Sequence, residues 1–197
     1  MPTHLLQEEI EDLKTVLDRK GYDYHEGVDA EIIESLKRVG LPTVYQAFLS
    51  EFDPGDAAWR MGSAFTLILH RPDELSDWQS DATDADEQFI IGSLNGQPLA
   101  LSKGKDTRVY RLDEDETVCV SSSFNQFLQI VRAGLEMLGR LADYDEDGED
   151  QDMDDGYDDM DDYHSDSFAS GREDVLNDYL EEIESIDSEV LDAWTPA

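Results

Sequence analysis

The chain has a single cysteine, Cys119, in 197 residues. No internal disulfide can form, so stability has to come from a packed core. Cations are scarce too: 14 Lys and Arg stand against 49 Asp and Glu, a formal charge of −35. A field of that sign repels nucleic-acid phosphates and anionic membrane surfaces, and it draws basic proteins and divalent cations. No apolar run approaches the ~20 residues that span a bilayer. The opening MPTHLLQEEIEDL is acidic and amphipathic, without the basic start and apolar stretch of a signal peptide. These absences predict a cytoplasmic chain that binds neither nucleic acid nor membrane. The four histidines, His4, His25, His70 and His164, are scattered, with no metal-ligand spacing among them. There is no G-x-S-x-G, and Gly104-Lys105 lacks the upstream glycine of a phosphate loop. Cys119 lies between Val118 and Val120 in a strand-like run, the setting of a small structural thiol. The expectation is no enzyme and no cofactor.

What is present reads as helices, then strands, then helices. Leu6, Ile10, Leu13 and Leu17 recur at helical spacing up to Gly21. Asp29 can cap a second helix with Ile32, Ile33, Leu36 and Val39 inward. Pro42 opens a third, with Val44, Tyr45, Phe48, Leu49 and Phe52 inside, ending at the turn DPG, 53–55. The period then changes. FTLIL (65–69) is a short β-prone run, and RPDELSDW (71–78) a short helix. QFIIGS (88–93) and PLALS (98–102) flank Asn95-Gly96, a strong hairpin dipeptide. TRVYRL (107–112) and TVCVSS (117–122) form a second hairpin around DEDE. A long helix follows, with Phe124, Phe127, Leu128, Val131, Leu135 and Leu138 on one face. The fold class predicted is α+β: a mainly antiparallel sheet of four to six strands, packed by N-terminal helices and a long late helix.

The charge is uneven. Residues 1–142 carry 13 Lys/Arg and 26 Asp/Glu; residues 143–197 carry one Arg and 23 Asp/Glu. Fourteen of the 24 residues from 143 to 166 are acidic, too few apolar groups to offset the entropy of ordering. Ser170 to Glu173 has the form of a capping box, opening a last helix with Leu176, Tyr179, Leu180, Ile183, Val190 and Trp194. Three parts are therefore expected: a domain at 1–142, a mobile acidic insertion at 143–169, and a helix at 170–197 that docks back.

The insertion invites two functional readings beside that of plain solvated linker. Asp143, Asp145, Asp147 and Gly148 match the start of a calcium loop, but position twelve is Asp154 rather than Glu and position eight is Asp150. The metal expectation is therefore none, with Asp143, Asp145, Asp147 and Asp154 as the weak candidates. Tyr144, Tyr157, Tyr163, Met153 and Met160 stand among the acids, as suits a segment that orders on a basic partner; Asp154, Asp155, Asp158, Asp159, Asp161 and Asp162 are the candidate contacts. Trp59 and Trp78 are either core residues or interface anchors.

The order of motifs resembles the SUKH superfamily, whose bacterial members are mostly immunity proteins of toxin systems. The residues are Leu41-Pro42, Tyr45 and Phe48-Leu49; IIGSLNGQPLALS (90–102); VYRLD (109–113); Ser123-Phe124 with Phe127-Leu128; and EIESIDSEVLDAW (182–194). The resemblance spans roughly 30–130 and, loosely, the last helix. SEFDPGDAAW (50–59) replaces a Gly-Gly pair common in the family, and the acidic insertion lies outside its pattern. The resemblance implies an immunity protein that binds a cognate toxin, a basic one such as a nuclease, without catalysis. The rival reading is an acidic regulatory or scaffold protein of the same fold with a housekeeping partner.

Overall fold

The computed structural model describes residues 3–55, 58–61, 65–79, 87–113, 116–149 and 164–195. Three helices come first: α1 (Thr3–Lys20), α2 (Ala30–Lys37) and α3 (Thr43–Glu51). Strands β1 (Ala58–Met61) and β2 (Phe65–Leu69) lead to a one-turn helix α4 (Leu75–Trp78). Then come β3 (Gln88–Leu94), β4 (Gln97–Ser102), β5 (Val109–Leu112) and β6 (Thr117–Ser121), followed by α5 (Phe124–Glu149), α6 (His164–Asp187) and α7 (Leu191–Trp194).

The six strands form one sheet in sequence order, each pair antiparallel. The meander follows from local chemistry. Asn95 and Gly96 take φ of 53° and 80°, the two left-handed positions of a tight hairpin turn. Asn95 also accepts the Thr66 N–H on its side-chain oxygen at 2.8 Å, which ties the turn to β2. Helix α5 lies on the inner face of the sheet and contacts α1, α6, β1 and β6. Phe124, Phe127, Val131 and Leu135 of α5 are buried, as their spacing predicts. The Leu-Pro, Tyr, Phe-Leu motif has a packing reason. Tyr45 and Phe48 meet Phe124 edge to face at 5.4 and 5.3 Å, and Phe48 passes the contact to Phe52 at 5.1 Å. On the outer face Ile90, Ala100 and Leu112 form a small second cluster with Tyr110. Gln79 covers part of that face, its amide bonded to both the N–H and the carbonyl of Ile90 at 3.0 Å.

Several expectations need correction. Strand β1 was not predicted. AWRM is only four residues long, yet its alternation of exposed and buried residues places Trp59 and Met61 in the core. β5 starts at Val109, not 107, because Thr107 sits at φ 50° and cannot extend the strand. Val39, expected inside, is 39% exposed. Asp29 stands at the N-cap of α2, but its side chain makes no capping bond. α5 continues through Glu149, so 143–149 is helical backbone rather than loop. α6 starts at His164, so the Ser170–Glu173 motif lies inside a helix and does not open it. The expected mobility of 143–169 otherwise falls on 150–163, outside the described residues. The last helix also breaks after Asp187, and α7 carries Trp194 separately into the core.

Candidate partner surfaces

The side chains singled out by sequence part company in the structure. Trp59 is 1% exposed and packs edge to face on Phe52 at 6.0 Å, which places it in the core. Trp78 is 38% exposed and lies parallel to the His70 ring, 4.1 Å between centroids. Burial lowers the His70 pKa, so the imidazole beneath the indole is neutral at physiological pH. Asp143, Asp145 and Asp147 stand on the helical backbone of α5, and Gly148 lies in the same helix. A calcium loop needs a sharply turned backbone at that glycine, so these three do not start one in this structure. Asp154, Asp155, Asp158, Asp159, Asp161 and Asp162 lie outside the described residues. Among the described residues no group of three or more His, Cys, Asp or Glu is placed to hold a metal ion.

Cys119 is half-buried, and its thiol donates to the Ser121 carbonyl at 3.5 Å. Burial raises its pKa, the opposite of what a nucleophilic thiolate requires.

Two surface features were not foreseen. The first is the outer face of α6. Its inward stripe is Val175, Tyr179 and Ile183, all buried. Opposite it Glu173, Asp174, Asp178, Glu181 and Glu184 are exposed, spaced so that most are three or four residues from another acid. Among the described residues Asp178 pairs with Arg140 at 3.6 Å, both side chains about half exposed or more, a contact worth little. The periodicity that gives the apolar stripe also gives this face.

The second is a cleft of about 480 Å³ between α1, the start of α3, the β4–β5 loop and the start of α5. Leu6, Pro42, Val44 and Ala47 give it an apolar wall, and Thr43, Lys103, Lys105, Thr107 and Asn125 a polar one. Pro42 is the N-cap of α3, and no side chain caps that end.

The α6 face is held in place by a buried carboxylate. Asp187, 4% exposed, accepts the Ser122 N–H at 2.6 Å and the Ser122 hydroxyl at 3.0 Å. Gln126, in the first turn of α5, donates to the Ile186 carbonyl at 2.7 Å. Trp194 donates its indole N–H to the Val120 carbonyl at 2.9 Å. The C-terminal end of α6 and all of α7 are thus fastened to the β6–α5 junction, which orients the acidic stripe outward.

A family model described as SUKH-4 immunity protein matches residues 26–195, from the loop before α2 to the end of the described chain. No curated protein matches the chain.

Proposed function

The chain belongs to the SUKH-4 immunity protein family, and on that premise we propose that it binds a cognate protein toxin and neutralises it by covering its working surface, with no chemistry of its own. The observation that carries this reading is the family match over 26–195, which includes α6 and its acidic face. The charge supports a basic partner. A toxin that cuts nucleic acid needs cations to hold phosphates, and an acidic protein competes for those cations and gains a steered on-rate. The α6 stripe supports it further. Like charges three and four apart each cost a helix about 0.2–0.5 kcal/mol, so the stripe works against the element that carries it. Packing of Val175, Tyr179 and Ile183 offsets that cost. The acidic residues from 143 onward add charge of the same sign to that field. We place the encounter in the cytoplasm. No described helix is long and apolar enough to cross a membrane.

The test is co-expression. A toxin domain encoded beside this gene should arrest growth alone, and should be tolerated and co-purify with this chain when both are made. Continued arrest with both proteins present at equal levels would refute the pairing. Survival without co-purification would point to the acidic regulatory reading instead.

A further inference from the structure

Trp78 is set apart from the other two tryptophans. Trp59 and Trp194 are at most 1% exposed, whereas Trp78 is 38% exposed, the one aromatic among the large apolar side chains that face solvent in the described residues. Its indole is nevertheless held still. One face lies on the His70 ring, 4.1 Å between centroids and 4° from parallel. His70 is fixed by its backbone N–H, which donates to the Ile91 carbonyl at 3.0 Å. One end of α4 is fixed by Leu75, fully buried, and the other by Gln79, whose amide holds the N–H and the carbonyl of Ile90. Both rings are thus fastened to adjacent residues of β3. An aromatic ordered in this way loses little freedom when a partner lands on it.

The surroundings select what can land there. The opposite face of the indole carries no ring and no cation among the described residues. Seven of the 17 residues from 71 to 87 are acidic, and Arg71, the one Lys or Arg in that stretch, forks onto Asp73 through two nitrogens, both at 3.1 Å. Glu74 is exposed and stands four residues before Trp78, one helical turn away on the same side. The imidazole beneath is neutral at physiological pH, so no charge below the indole repels a cation above it. An aromatic face with a carboxylate at its rim suits a guanidinium, whose plane stacks on the ring while its N–H fork reaches the carboxylate. A lysine ammonium has neither plane nor fork. A second copy of this chain, equally acidic, would bring carboxylates against carboxylates. We infer that Trp78, backed by His70, seats an arginine side chain of a basic toxin, with Glu74 as the carboxylate that the guanidinium reaches. This contact rests on the immunity reading. It assigns the hold on the partner to α4 and leaves the steering of its approach to the α6 stripe.

Two measurements on the full chain test it. Hexa-arginine and hexalysine carry equal charge; at equal concentration the first should shift the Trp78 indole N–H resonance about threefold more. Equal shifts overturn the inference. The second measurement is binding kinetics with the toxin domain encoded beside the gene. Trp78→Leu keeps apolar surface without a ring, and should raise the dissociation rate about tenfold with association nearly unchanged. Trp78→Phe keeps a ring and should raise it only about threefold. Glu74→Gln, which leaves both rings in place, should raise it about threefold as well. Among single arginine-to-glutamine changes in the toxin, one should give a complex that Trp78→Leu no longer weakens. Unchanged dissociation in all three variants overturns the inference. So does a Trp78→Leu complex as tight as that of Trp78→Phe, since apolar contact is then enough, and so does the absence of any coupled arginine. Self-association that Trp78→Leu abolishes would seat a second copy there and overturn it too. In each of these outcomes the wild-type chain still binds the toxin. A wild-type chain that prefers hexa-arginine at Trp78 but does not bind the toxin refutes the immunity reading, and the toxin contact with it.

Discussion

Gly92 of β3 pairs with Leu69 of β2. A Cβ there would stand 2.1 Å from the Ile68 carbonyl oxygen, a backbone atom that cannot move aside without parting the strands. That is the physical content of the Ile-Gly-Ser motif, and glycine inside a strand pattern is a sign of such an approach. Gly92→Ala should cost about 3 kcal/mol or more, read as a fall in the urea midpoint. A smaller loss would mean that the sheet yields at this point. Cys119 offers a second reading at this scale. Burial raises its pKa, so less thiolate is present at a given pH in the folded chain than in the unfolded one. Alkylation near pH 8 should be slower in the native protein than in urea, and native reactivity should keep climbing as pH rises further. Equal rates in both states would show an exposed, activated thiol. The tryptophans show where residue-level reading stops. Trp59 and Trp78 have equal claims as letters in the sequence. Only the unpredicted strand β1 turns one inward, and only the end of α4 leaves the other in solvent.

Among the elements, those with a strong period were legible in the sequence: α1, α3, the first half of α5, and the hairpin around Asn95-Gly96. For β1 and for the break after Asp187, tertiary contact overrode local preference. AWRM is too short to show a period and becomes a strand by pairing with β2. The acidic end of α5 opposes the helix dipole, so nothing local foretells that it continues to Glu149. The break after Asp187 could not be seen either, because its cause is sixty-odd residues away: a carboxylate bonded to Ser122 at the entry to α5. The acidic residues of α6 were visible as letters, but their outward display depends on this fastening. Asp187→Ala leaves buried donors unmatched and should cost about 2–3 kcal/mol. Amide exchange should quicken at Tyr179 and Ile183 more than in the β3–β4 hairpin. Asp187→Asn, which keeps an acceptor but loses the charge, should fall between. Uniform quickening across the whole chain would mean that the fastening is not local to α6.

At the scale of the whole molecule the charge sets two effects against each other. Changing Glu173, Glu181 and Glu184 to Gln, and Asp174 and Asp178 to Asn, removes repulsion along α6. Thermal stability should rise slightly, by up to about 1 kcal/mol. The same change should slow association with a basic toxin, by about tenfold at low ionic strength, while dissociation alters little. If dissociation alone quickens, the stripe is itself the docked contact rather than a source of steering. The central claim is that neutralisation is binding and nothing more, and the most direct measurement is a titration of the toxin's activity with this protein. The expected result is a sharp endpoint at one protein per toxin, with full toxin activity and an unchanged toxin mass recovered after the two are separated in denaturant and refolded. Inactivation by far less than one equivalent, or a toxin that returns chemically altered, would contradict it.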